Sequence, residues 1–438
     1  MQPLLRPAIA LTIVDKRAIL HMRQRLEMMK ENRIIAVLIG SAFLLRACFV
    51  LFFADLEHVS YWEYGEIARN LHAGKGYSLF SFDGERFTLY SAPGSTTYPS
   101  AYMPPGYVAF LYPFFFTGDL ATRTAIILLA QAILGAASAF FMFRFMSKHV
   151  SRRAAPLGAA IMGFLPEFVY ASGSITPTVL FHLLFLALLP LLYELQTHST
   201  SKSEILAAVL MCALIYVRSE IALFAGLVIL ALLVGGKTKS ALRIGLIVVI
   251  LILPWQIRNL VVFGEWVPFT TNAGLNFFRG HNNLELGTFS DDAIFSGLRN
   301  LPPGKEFEPA QNRLYFRRAL DCISEDPAAE VKHSLSKFLQ LWFWNPSDSR
   351  TTSAFYLVPW FLLLVCAIWG ALRGAAWKTH WILVSFILYS TAIALAFFVL
   401  PRYQTMMKVA LVPFAATGIL AFWDHIRGKG TTTPSGEV

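Results

Sequence analysis

The chain is short of charge: only 15% of its 438 residues are Asp, Glu, Lys or Arg. A soluble chain carries roughly 25% to cover its surface, so a soluble enzyme is excluded. Cysteine is scarce as well. The four cysteines, at 48, 212, 322 and 366, are scattered and mostly sit in apolar runs, which excludes a disulfide framework and a thiolate metal site. Gly-rich phosphate loops and nucleophile elbows are missing, leaving nucleotide hydrolysis and serine hydrolase chemistry without support. No His or acid pair has metal-ligand spacing, and Asp291 and Asp292 are merely adjacent. No cofactor is implied, while a divalent metal stays open. Internal repeats and low-complexity tracts are also absent, apart from a polar tail from Gly428 onward.

What is present is apolar: 56% of the residues are hydrophobic and 14% aromatic, with a mean hydropathy of +0.54. This composition predicts an all-α polytopic membrane protein of about 10–12 transmembrane helices. Spans are expected near 34–54, 121–146, 155–170, 178–195, 204–217, 221–234, 241–254, 354–372, 380–399 and 405–423. The net charge of +10 is no nucleic-acid footprint, because its basic residues lie in short connections and termini. Arg152 and Arg153, Lys237 and Lys239, Arg373 and Lys378, and the basic extension 1–33 form the positive-inside pattern, with anionic membrane lipids as partners. The extension is too long for a signal peptide, so the first helix reads as a retained anchor; Met22, Met28 and Met29 are alternative starts. The expected organisation is a cytoplasmic extension 1–33, a membrane domain 34–424 and a cytoplasmic tail 425–438.

With the N-terminus inside, every basic cluster falls on the cytoplasmic side if 104–117 does not cross. That segment is short and bounded by Pro104-Pro105-Gly106 and Gly118-Asp119, which suits a re-entrant or interfacial helix. The same parity puts two polar stretches, 55–103 and 259–352, outside. They carry most of the protein's acids and the aqueous-side function, and a short third outer loop holds Pro401-Arg402-Tyr403. Within the second, 321–337 reads as helical with Pro327 near its start, leading into the interface aromatics Trp342-Phe343-Trp344.

Three groups of residues carry the chemistry. In the first outer loop, Tyr64, Ile67 and Leu71 have the spacing of an interfacial amphipathic helix stopped by Gly74 and Gly76, from which Glu63, Glu66 and Asn70 project. Asp55 and Glu57 stand at the membrane edge. A carboxylate beside a membrane cavity suits a general base; acids at a helix start equally suit its dipole. The second group is Arg218, Arg258 and Arg402, all on the outer side by parity, with Ser219 and Glu220 beside the first. Three guanidinium forks at one level suit a phosphate or pyrophosphate, and snorkelling to headgroups is the alternative for each. Arg46 reads as a helix-packing charge. The third group is 270–283, where Asn276, Asn282 and Asn283 with Gly and aromatic residues suit a turn-rich sugar-binding surface or a tight structural loop.

Taken in order, these segments resemble the GT-C superfamily of membrane glycosyltransferases, in its bacterial protein O-mannosyltransferase-like and aminoarabinose transferase-like branch. The landmarks are Ile67-Ala68-Arg69-Asn70-Leu71, Gly74 to Tyr77, Tyr102 with Pro104-Pro105-Gly106-Tyr107, Pro254-Trp255 to Arg258-Asn259, the 274–283 stretch and Arg402-Tyr403. They cover roughly 40–420, and their order and sidedness carry the match. The resemblance implies a GT-C type bundle with interfacial helices in the first outer loop, in the bacterial inner membrane. It also implies transfer of a sugar, on the periplasmic face and with inversion, from a polyprenyl-phosphate carrier to a lipid, glycan or protein acceptor. A loop carboxylate would deprotonate the acceptor, and arginines would hold the carrier phosphate. Arg218, Arg258, Arg402, Tyr403, Tyr102, Tyr107, Asn276, Asn282 and Asn283 are the expected substrate-binding residues.

Two departures bear on this. The family's acid position, four residues before the helix Tyr, is Ser60 here, so the base is expected from Glu63 or Asp55. The Lys that precedes Pro-Pro in aminoarabinose transferases is Met103, which argues against lipid A modification with that sugar. A transporter or flippase of a lipid-linked substrate and a non-catalytic scaffold in polysaccharide assembly are the other readings.

Overall fold

A computed structural model describes residues 7–82, 87–88, 96–282, 301–346, 351–373 and 376–428. In a bilayer, backbone groups have to be satisfied within the protein, and the apolar runs accordingly fold as helices. The chain runs α1 (Pro7–Phe53), α2 (Trp62–His72), β1 (Ser78–Phe82), β2 (Phe87–Thr88), β3 (Thr97–Pro99), α3 (Pro105–Leu111), α4 (Leu120–His149), α5 (Ala155–Phe164), α6 (Pro166–Tyr170) and α7 (Thr178–Thr197). It continues with α8 (Ser201–Val217), α9 (Ile221–Val234), α10 (Thr238–Phe263), α11 (Ala273–His281), α12 (Phe307–Glu325), α13 (Pro327–Trp342), α14 (Ala354–Leu372), α15 (Ala376–Thr379), α16 (Trp381–Ala396) and α17 (Pro401–Ile426). Among the described residues, six helices are long and apolar enough to cross a membrane, and shorter apolar ones stand beside them. The protein is a polytopic, all-α membrane protein, to which the first loop adds a small antiparallel sheet in the order β2-β1-β3.

All ten expected spans are helical, and 104–117 is α3 followed by a 3-10 turn, Tyr112–Phe116. Three sequence expectations change. The 155–170 span breaks at Leu165 because Pro166 cannot continue the ladder of α5. The 321–337 helix is two, because Pro327 starts α13 and Asp326 caps it by accepting from Ala329 N–H at 2.9 Å. The Asn- and Gly-rich stretch is not turn-rich but the helix α11, whose Leu275 and Phe278 are buried in the loop core.

The bundle also buries charged side chains. Arg46, fully buried, donates to the carbonyls of Met162 (2.9 Å) and Gly163, the groups that the end of α5 releases. Lys408 of α17 pairs with Glu167 of α6, both buried, with the rings of Trp360 and Tyr356 at 4.2 and 4.5 Å from its ammonium. Small residues draw α14 and α17 together: a Cβ on Gly370 would strike the Phe414 carbonyl, and one on Gly418 the Cys366 carbonyl. A second core, at the loop end of the bundle, joins the two polar stretches through Phe80 against Tyr102 (5.2 Å) and Phe307 (5.1 Å), and Phe278 against Tyr315 (5.4 Å).

Arg46→Leu strips the donors from two buried carbonyls and is expected to cost about 1–3 kcal/mol, read as a lower thermal midpoint in detergent. Arg46→Lys recovers part of it. An unchanged midpoint in the leucine variant would remove Arg46 from the framework.

Candidate active site

At the loop end of the bundle a solvent-open cleft lies between four helix junctions and the two polar loops. Its walls come from Trp62 to Tyr64 of α2, Tyr102 to Pro104 ahead of α3, Ile175 to Pro177 ahead of α7, and Arg218 to Glu220 between α8 and α9. Asn272, Asn276 and Arg279 on and before α11, and Phe398, Arg402 and Tyr403 at the start of α17, complete it. Close backbone approach places two of these walls. A Cβ on Gly106 would lie 2.7 Å from the Tyr216 carbonyl, so the absence of one lets α3 sit on the end of α8, beside Arg218. A Cβ on Gly280 would strike the Phe397 carbonyl, so glycine lets α11 lie across the end of α16.

Of the two acids expected to supply a base, the fold brings one to the cleft. Glu63, in the first turn of α2, lines it and has no hydrogen-bond or ion-pair partner among the described residues. Asp55 lies outside the cleft and is solvent-exposed. It accepts from the backbone N–H of His58 (2.9 Å) and Glu57 (3.1 Å), and the His58 bond leads in holding its carboxyl below the usual range. Glu66 does not project either. It is buried against Arg69 at 3.2 Å, and burial pushes its carboxyl up. Asn70 is buried too, donating to the Ser78 carbonyl at 2.9 Å.

The expected arginine trio is redrawn. Arg218 and Arg402 line the cleft, and the third guanidinium there is Arg279 of α11, stacked 5.4 Å from the Phe398 ring. Arg218 is paired with Glu220 and lies 5.0 Å from the Tyr403 ring; Arg402, 5.7 Å from the same ring, is exposed and has no ion-pair partner among the described residues. Arg258 is elsewhere. It donates to the carbonyls of Ser100 (2.6 Å) and Tyr77 (3.1 Å) and to Asn259 Oδ1 (3.0 Å), and stacks on Trp255 and Tyr77. A guanidinium with its donors committed to carbonyls is a framework tie.

Of the expected substrate-binding residues, Tyr102, Tyr403 and Asn276 line the cleft, and Tyr64, expected only to pack on the apolar face of α2, lines it as well. Burial raises the phenols of Tyr64 and Tyr102, which stay neutral hydroxyls in the working pH range. Tyr107 is fully buried behind the cleft, edge-on to Tyr64 at 5.2 Å and donating to Gln131 at 2.7 Å. Asn282 is buried at the end of α11, its amide donating to the Phe278 and Arg279 carbonyls. Asn283 lies outside the described residues. Asn272, Asn276 and Arg279 fall at i, i+4 and i+7 on one face of the α11 segment, a spacing that would have singled out Arg279 had the segment been read as helical. Among the described residues no group of three or more His, Cys, Asp or Glu side chains is placed to hold a metal.

These placements separate the arginines by experiment. Arg258→Ala, which leaves buried carbonyls bare, is expected to lower stability by about 1–3 kcal/mol, and Arg402→Ala to stay within about 0.5 kcal/mol of wild type, both from thermal unfolding in detergent. Equal losses would contradict the framework assignment of Arg258.

No protein-family model and no curated protein matches the sequence. Solved structures do match. The oligosaccharyltransferase AglB from Archaeoglobus fulgidus, in complex with an inhibitory peptide and a dolichol-phosphate, aligns with a TM-score of 0.53 and 11% identity over 92% of this chain and 52% of its own. The apo form of the Archaeoglobus fulgidus oligosaccharyltransferase gives a TM-score of 0.52 and 10% identity over the same shares. ArnT from Cupriavidus metallidurans, bound to undecaprenyl phosphate, gives a TM-score of 0.41 and 12% identity over 92% and 82%. The chain thus spans about half the length of the oligosaccharyltransferases it matches. The likeness is one of fold: over 92% of its length the chain folds like these oligosaccharyltransferase structures.

Proposed function

We propose that this chain is a membrane glycosyltransferase that moves a sugar from a polyprenyl-phosphate carrier to a lipid, glycan or protein acceptor, on the periplasmic face of a bacterial inner membrane. The observation that carries the reading is the convergence, in one cleft at the helix ends, of the Glu63 carboxylate, partnerless among the described residues, with Arg218, Arg279 and Arg402. The similar AglB structure holds a dolichol-phosphate, a lipid of the same chemical class. Basic connections at the opposite end of the bundle support the sidedness.

In this reaction the Glu63 carboxylate takes the proton of the acceptor hydroxyl or amine as its oxygen or nitrogen attacks the anomeric carbon. The bond from that carbon to the carrier phosphate oxygen breaks, and the electron pair leaves with the phosphate. Arg279 and Arg402 meet the charge that develops there, with Arg218 behind them, its position fixed by Glu220 and Tyr403. A single displacement inverts the anomeric centre. Tyr64 and Tyr102 offer neutral hydroxyls and ring faces to the sugar.

Glu63→Gln is expected to lower turnover by on the order of 10²–10⁴-fold and Asp55→Asn to leave it near wild type. The assay follows surface glycolipids and glycans by mass spectrometry in the source organism, with protein levels matched. Arg279→Gln is expected to cost on the order of 10²-fold in the same assay. If Glu63→Gln and Asp55→Asn both keep the wild-type profile while a deletion strain loses it, the base assignment fails, and a flippase or a scaffold takes its place.

A further inference from the structure

Behind the cleft the two polar loops meet at one buried carboxylate. Glu308, the second residue of α12, is 2% exposed, and its Oε2 accepts from the Ala101 N–H at 2.8 Å and from the Thr271 hydroxyl at 2.6 Å. The Thr271 N–H donates in turn to the Ala101 carbonyl at 3.0 Å. Ala101 immediately precedes the wall of Tyr102, Met103 and Pro104, and Thr271 immediately precedes Asn272 and the helix that bears Asn276 and Arg279. Glu308, Ala101 and Thr271 stand outside the lining of the cleft. Arg258 completes the knot from α10, through the carbonyls of Ser100 and Tyr77.

We propose that Glu308 is a positioning residue of the active site: by gripping Ala101 and Thr271 with one oxygen it fixes the spacing of the Tyr102 and Asn276–Arg279 walls, and so sets how tightly the carrier phosphate is held. The inference rests on the transferase reading for its substrate, and on the hydrogen bonds alone for the clamp. An ionised carboxylate grips an amide and a hydroxyl more strongly than a neutral one. Burial pushes the Glu308 carboxyl up to about 7, against the hydrogen bonds of Ser100, Thr271 and Ala101 and the charge of Arg258. Arg258 and the phenols of Tyr77 and Tyr102 are the charged and titratable groups that face it, and burial raises both phenols. Between pH 5 and 9 Glu308 is therefore the member of this group that changes charge. The clamp is tight when Glu308 is ionised and loosens as pH falls through about 7.

The test compares wild type with Glu308→Gln and Thr271→Val in the full-length protein, each first checked for an intact thermal transition in detergent. Hydrogen exchange is read over 96–104 and 270–282, binding is measured with undecaprenyl phosphate as the probe, and donor KM and kcat are followed against pH. Glu308→Gln is expected to lose amide protection in both segments and to weaken undecaprenyl phosphate binding by about tenfold. Donor KM in wild type is expected to fall as pH rises through about 7, and to be flat with pH in Glu308→Gln, with kcat moved less than KM. Thr271→Val, which keeps the carboxylate, is expected to show a smaller loss of protection and to retain the pH dependence. Unchanged protection in Glu308→Gln overturns the clamp whatever the substrate. Lost protection with wild-type binding and an unaltered pH profile overturns the positioning role. Failure of the transferase reading shows separately, as no sugar transfer from a polyprenyl-phosphate donor by the wild-type protein.

Discussion

Polar groups that leave water at the end of a buried helix have to be satisfied by the protein itself, and the loop end of this molecule is organised around that demand. The break after α5 releases the carbonyls of Met162 and Gly163, which Arg46 takes up from α1. The Glu220 carbonyl at the start of α9 accepts from Tyr389, the Ala396 carbonyl at the end of α16 meets His281 at 3.0 Å, and the Leu341 carbonyl at the end of α13 accepts from Gln404. Of these groups Glu220 also lines the cleft, beside Arg218 and Ser219 of the same junction.

Within the cleft, charge is divided by how far it is committed. Arg218 and Glu220 neutralise each other at the α8–α9 junction, as an ionised pair close to the apolar bundle must. Glu63 and Arg402 have no such partners among the described residues, on walls contributed by the first polar loop and the last helix. In the proposed glycosyl transfer that carboxylate takes the proton and that guanidinium meets the phosphate. Arg258, with its donors bound to Ser100 and Tyr77, belongs to the support behind the walls, and Arg279 lines the cleft where Arg258 was expected.

The walls themselves are made by packing across long sequence distances. Glu308 and Arg258 draw the first loop, the end of α10 and the start of α11 into one knot. The shared aromatic core of Phe80, Tyr102, Phe278, Phe307 and Tyr315 fills the space beneath it. The described parts of the two polar loops therefore share one core.

Hydropathy and charge placement alone settled the class of protein, the ten helical segments and the ends at which the loops lie, because a bilayer dictates helix length and polarity residue by residue. The local patterns around Glu63, Arg218 and Arg402 were legible for the same reason: each is polar where the chain would otherwise be lipid-compatible. The tertiary structure decided which of several equivalent residues reach the cleft. Asp55 and Glu63 are both acids at the membrane edge, and only the turn into α2 directs one inward. Arg258 and Arg279 are both basic, and the carbonyls that claim the first lie 158 and 181 residues away in the chain. Glu308 had no local signature at all, since its meaning resides in two donors from distant loops, and sequence order does not encode which distant groups a buried side chain will meet.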